Sequence, residues 1–172
     1  GTLSNGMNIY GIEHNELPLV QFSLRIDGGQ VLDPNDKIGT SVMLASLLNE
    51  GTENKTPAEL EEDIGLLGAQ INISADLEAL YVSGNTLSRN LEETISLVTE
   101  MLTKPRWDSE AFDIVKNRRL TRIKQSKTRP QLVSINALRK QLYGKTHPRS
   151  FPIGGTIESV NQITMDDLKE HF

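Results

Sequence analysis

The chain has no cysteine, only three histidines, and few aromatic residues, which make up 5% of its 172 positions. Without cysteine it has no disulfides, no thiolate metal ligands and no cysteine nucleophile. The same absence selects neither periplasm nor cytoplasm, since proteins of both compartments can lack the residue. No apolar run approaches the ~18 residues that a membrane-spanning helix needs. Lys and Arg number 18 against 23 Asp and Glu, for a formal charge of −5, which speaks against nucleic acid as a partner. The remainder, 37% hydrophobic and 24% charged, is the make-up of an ordinary folded domain with a core of useful size.

Periodicity along the chain predicts an α+β fold. Met7 to Glu13 and Leu19 to Ile26 carry strand-type residues, and in the second Val20, Phe22, Leu24 and Ile26 alternate with Gln21, Ser23 and Arg25. Asp27-Gly28-Gly29 reads as a turn. From Ile38 to Leu48 apolar residues cover most of a helix, which implies deep burial. Thr56-Pro57-Ala58-Glu59 starts another helix, with Thr56 and Glu59 as a capping box, and Gly68 ends it. Ala69 to Ala75 and Ala79 to Leu87 read as strands joined by Asp76-Leu77-Glu78. Asn90 with Glu93 is expected to cap a helix whose core stripe is Leu91, Ile95, Val98 and Leu102, stopped by Pro105. A long helix from Ser109 to about Lys127, another from Pro130 to Tyr143, a loop from Lys145 to Gly155 and two short helices complete the chain. The expected architecture has two layers, a largely antiparallel sheet with helices packed on one face.

Chemistry-bearing patterns are sparse. His14, His147 and His171 stand apart, none within helical ligand spacing of another, and isolated surface or loop histidines account for them. No Gly-x-Ser-x-Gly elbow is present. The acid pairs Glu61-Glu62 and Glu92-Glu93 point in different directions on helices and read as solvated faces. Gly28-Gly29 and Gly154-Gly155 lack the spacing and the Lys-Ser/Thr of a phosphate loop. One cluster is unusual in an acidic protein: Lys116, Arg118, Arg119, Arg122, Lys124, Lys127 and Arg129. A solvated helix face explains it, or else a basic wall that steers acidic peptide segments. Arg118, Arg119 and Arg122 are the candidate peptide or partner contacts.

Several short stretches, taken in order, carry a resemblance. These are Leu3-Ser4-Asn5-Gly6-Met7, Asp27-Gly28-Gly29, Asn49-Glu50-Gly51-Thr52, Leu66-Leu67-Gly68-Ala69, Pro105-Arg106-Trp107, Tyr143-Gly144, His147-Pro148 and Gly154-Gly155-Thr156. In this order and spacing the chain resembles a domain of the pitrilysin/insulinase family of zinc metallopeptidases. In active members, the resemblance implies, the helix before the Gly-Thr turn carries the inverted motif His-x-x-Glu-His. Laid on that pattern, the histidine positions fall on Val42 and Ser46 and the glutamate on Ala45. Active members take a further glutamate ligand from the long helix, whereas Lys116 to Lys124 contains no acid. Zinc needs nitrogen, sulfur or carboxylate donors, and hydrolysis needs a base for the bound water.

The resemblance therefore implies a catalytically silent domain with no cofactor of its own. Zinc is expected in an active peptidase half, fused or separate, that closes with this one around a peptide substrate. Residues 1–172 read as a single inactive peptidase-like domain. Because they open on Gly1 and end inside a helical pattern, they are expected to be part of a longer multi-domain chain. The competing expectations are a scaffold subunit with the peptidase fold and no proteolytic role, and an active enzyme whose motif lies elsewhere.

Overall fold

The computed structural model describes residues 1–13 and 16–172. Three strands form one antiparallel sheet in the order β1 (Leu19–Asp27), β3 (Ala79–Leu87), β2 (Gln70–Ala75). Register follows from the alternation of side chains. Phe22 lies opposite Gly84, which lies opposite Ile71, and Leu24, Val82 and Ile73 form the next row. These rows face the helices. The intervening rows, Gln21–Asn85–Gln70, Ser23–Ser83–Asn72 and Arg25–Tyr81–Ser74, leave a polar second face. Gly84 is required by close approach: a Cβ there would lie 2.4 Å from Gln70 O and 2.6 Å from Phe22 Cζ.

Seven α-helices occur among the described residues: α1 (Thr40–Leu47), α2 (Pro57–Leu66), α3 (Leu91–Thr103), α4 (Ser109–Ser126), α5 (Pro130–Tyr143), α6 (Ile157–Gln162) and α7 (Met165–His171). The core is built from Met43, Leu44, Leu47 and Leu48 of the α1 region, Leu60, Ile73, Val82, Leu97, Met101, Phe112, Val115, Val160, Ile163 and Leu168. Helix α1 lies at its centre, with Met43 and Leu47 fully buried. Its N-terminus is capped at a distance by the buried Asp33, which accepts from Gly39 N (2.7 Å), Ser41 N (2.9 Å) and the Ser41 hydroxyl. A carboxylate there satisfies two orphan N–H groups and opposes the positive end of the helix dipole. The Thr56–Glu59 capping box of α2 forms as its sequence dictates, and α6 and α7 begin with boxes at Thr156–Ser159 and Thr164–Asp167.

Three expectations need correction. Met7 to Glu13 forms no strand: a single bridge joins Thr2 to Asn8, and Tyr10 and Ile12 are 92% and 97% exposed. Among the described residues no strand runs alongside these strand-type residues, and without a ladder the propensity has no effect. His14, which follows it, lies outside the described residues. Asn90 does not cap α3, because a 3-10 turn over Ser88–Asn90 runs straight into the helix. The Asn90 amide instead donates to Leu67 O (2.8 Å), an orphan carbonyl at the end of α2. The buried stripe of α3 is Thr94, Leu97, Val98 and Met101, and Ile95 is exposed. Both stripes have helical spacing; the position of Thr94 against Thr86 of β3, hydroxyl to hydroxyl at 2.9 Å, fixes which one turns inward.

Candidate functional site

Helix α1, the outer edge of β2 and helix α4 enclose a cavity of about 360 Å³. Val42 and Ser46, one helical turn apart, form one wall, with Asn49 and Glu50 beyond them. Asn72 to Ala75 form the β2 side, and Val115, Arg118, Arg119 and Arg122 the α4 side. Five of the six residues singled out in the sequence thus meet in one place. Ala45 does not: it is 1% exposed and turned into the core.

Each arginine has a different setting. Arg118 pairs with Glu50 at 2.7 Å. Arg119 donates from Nε to Gly154 O (2.7 Å) and from a terminal nitrogen to Ile153 O, with no carboxylate. Burial pushes its pKa below the ordinary guanidinium value, and the neighbouring charge of Arg122 pushes the same way. Arg122 is exposed and makes no ion pair among the described residues. It and Arg119 also border a second cavity of about 480 Å³, toward α5 and α6, where Lys127, Arg139 and Glu158 add charge. Gly154 permits this arrangement: at φ +77° its backbone passes so close that a Cβ would lie 1.9 Å from an Arg119 nitrogen. Lys116, by contrast, donates to Asn161 O (2.9 Å) and Ile163 O (2.7 Å), closing the end of α6.

The donor set of the cavity does not fit zinc. Val42 offers no lone pair, the Ser46 hydroxyl donates to Val42 O at 2.8 Å, and three guanidiniums repel a dication. Among the described residues no three His, Cys, Asp or Glu side chains are grouped as a metal site.

Two features escaped the sequence. The first is Asn49. Its amide donates to Ile73 O (2.9 Å) and to Ala45 O (2.7 Å), and its oxygen accepts from Ile73 N (3.1 Å). The carboxamide thereby pairs with the outward backbone groups of β2 as a neighbouring strand would. The only hint was a polar residue just beyond the buried Leu47-Leu48 pair.

The second is Asp33, Ser41 and His171. His171 Nε2 lies 2.9 Å from Ser41 Oγ, and the Ser41 hydroxyl donates to Asp33. A nucleophilic triad needs the carboxylate on the other ring nitrogen, leaving the serine proton for the imidazole. Here Asp33 takes that proton itself and stands 3.8 Å from the same Nε2. The cluster ties α7 to α1 and is not built for acyl transfer. His147 is likewise structural, accepting from Arg149 N (3.1 Å) and stacking on Tyr143.

The family model described as Insulinase (Peptidase family M16) matches residues 12–152. A protein of Helicobacter pylori named non-peptidase homolog YmxG is 26% identical over 93% of this chain and 37% of its own length. Mitochondrial cytochrome b-c1 complex subunit 1 of Caenorhabditis elegans is 23% identical over 98% of this chain and 36% of its own length. The crystal structure of a peptidase M16 inactive domain from Pseudomonas fluorescens superimposes with a TM-score of 0.85 at 28% identity, over 93% of this chain and 39% of that one. The chain thus spans a little over a third of the length of these relatives.

Proposed function

The chain belongs to the insulinase family, peptidase family M16, and from that premise we propose that it is a non-catalytic domain of a zinc metalloendopeptidase assembly. It supplies a wall of the peptide chamber and contacts to an active half, which holds the zinc, the base and the attacking water. The carrying observation is the cavity at Val42 and Ser46, where three guanidiniums and one carboxylate, Glu50, already paired with Arg118, do not make a donor set for zinc. The similarity to a non-peptidase homolog and to an inactive M16 domain supports the same reading. Enclosure is what such a domain contributes: it orients the peptide and excludes water from chemistry done across the chamber. The polar second face of the sheet suits a wetted wall.

The test is isolation of the full-length protein from its host under mild conditions. A chelator-sensitive endopeptidase whose zinc motif lies in another domain or subunit is the expected result. Chelator-sensitive cleavage that needs residues 1–172 alone would overturn it. A second reading, a scaffold subunit without proteolytic role, is favoured by the similarity to cytochrome b-c1 complex subunit 1. It predicts isolation in a stable complex that contains no zinc peptidase at all.

A further inference from the structure

We propose that the cavity between α1, β2 and α4 is a carboxylate-binding site, taking an acidic side chain or a C-terminal carboxylate of a peptide and not an extended peptide backbone. The proposal deepens, and rests on, the reading of this domain as a chamber wall.

Charge and partner count come first. Three guanidiniums face the cavity and a single carboxylate, Glu50, answers them through Arg118. Arg119 is held by two carbonyl oxygens and Arg122 by no ion pair among the described residues, so two cations border the same concavity with no carboxylate of the described residues paired to them. This surplus sits in a chain whose formal charge is −5. Like charges brought together with one of them buried oppose each other, and an anion between them relieves both. Burial of Arg119, and then the charge of Arg122, push the Arg119 pKa down, the direction such opposition requires. Guanidiniums present paired N–H donors that match a carboxylate in plane, so the chemistry favours that group over a lone halide. Asn72 and Ser74 on the rim add polar groups, and a volume of about 360 Å³ suits one or two side chains.

The exclusion of backbone pairing comes from Asn49. Strand β2 is an edge of the sheet, and an edge normally invites a peptide to add as a further strand. At Ile73 both outward backbone groups are already bonded to the Asn49 carboxamide, and Ile73 lies beside the arginines on the cavity wall. A peptide adding there would have to break two hydrogen bonds before making its own. Beside the arginines, recognition falls to the charges.

The experiment is calorimetric titration of the full-length protein at low ionic strength with three peptides of four residues. One is tetraglutamate blocked at both ends, one is tetraglutamine blocked at both ends, and one is tetraglutamine with a free C-terminal acid. Binding of blocked tetraglutamate but not blocked tetraglutamine assigns the site to side-chain carboxylates. Binding of only the free-acid tetraglutamine assigns it to a chain terminus. In either case Arg122→Gln is expected to weaken binding about tenfold, the loss of one charge-assisted contact, with the fold intact by circular dichroism. Equal binding of all three peptides would mean backbone recognition and overturn the proposal. Absence of binding, or binding that Arg122→Gln leaves unchanged, would also overturn it. Assembly with an active half is measured separately, so the carboxylate site can fail while the chamber-wall role stands.

Discussion

Replacing Asn49 with alanine removes a side chain that hydrogen-bonds the end of the central helix to the edge of the sheet. Three hydrogen bonds disappear, to Ala45 O, Ile73 O and Ile73 N. Each is worth about 1 kcal/mol net, and a buried backbone group stranded without a partner costs about 1 to 3 kcal/mol. Ile73 is 3% exposed, so its two freed groups begin on the costly side of that range. The cavity alongside can admit water to them, which lowers the figure. A destabilisation of about 2 to 3 kcal/mol follows. Urea unfolding measures it, as a lower midpoint at unchanged slope. Asn49→Asp is a sharper version: it keeps an acceptor for Ile73 N but turns an anion toward two carbonyl oxygens. It should be at least as damaging at neutral pH and recover partly in acid, where a protonated carboxyl can donate. A loss below about 0.5 kcal/mol in both variants, the level of an ordinary surface change, would refute the strand-mimicking role.

Further outcomes are expected at other positions. Gly154→Ala forces a side chain into a left-handed φ and displaces the Arg119 guanidinium from its two carbonyls, and should cost about 1 to 3 kcal/mol, read by the thermal midpoint. The triple change Val42→His, Ala45→Glu, Ser46→His should retain no zinc after dialysis, because α4 still presents arginines and position 45 faces the core. Acid sensitivity has a local source in Glu59 and Glu100. The Thr56 backbone N–H, then its hydroxyl, holds Glu59 below the ordinary glutamate pKa, and the Thr52 hydroxyl does the same for Glu100. The unfolded chain therefore binds these protons first as pH falls. Their contribution is complete above the unfolded value, about 4.3, and is lost as pH drops through the depressed folded values. Glu59→Gln, which preserves the capping box, should flatten the acid limb of stability against pH, and an unchanged limb would contradict this.

What could be read in advance was what local chemistry decides. Thr56 and Glu59 are three residues apart and form their box whatever surrounds them. The alternation from Val20 to Leu24 sets β1 on the core by itself. What failed depended on partners far along the chain. Met7 to Glu13 has strand-type residues but no ladder among the described residues, and Asn90 found a carbonyl 23 residues earlier more useful than its own helix. The cavity was half legible. Val42, Ser46 and the arginines could each be named from their own helices, but the sequence does not say that 72 residues of separation between Ser46 and Arg118 close to one wall. Asn49 to Ile73 and Arg119 to Gly154 are tertiary contacts of the same kind, invisible to periodicity.

The measurement that bears most directly on the division of labour is anomalous scattering at the zinc edge from crystals of the intact assembly. The expected map has its zinc peak in another domain or subunit and nothing between Val42, Ser46 and Arg122. A zinc peak inside that cavity would contradict the account at its root.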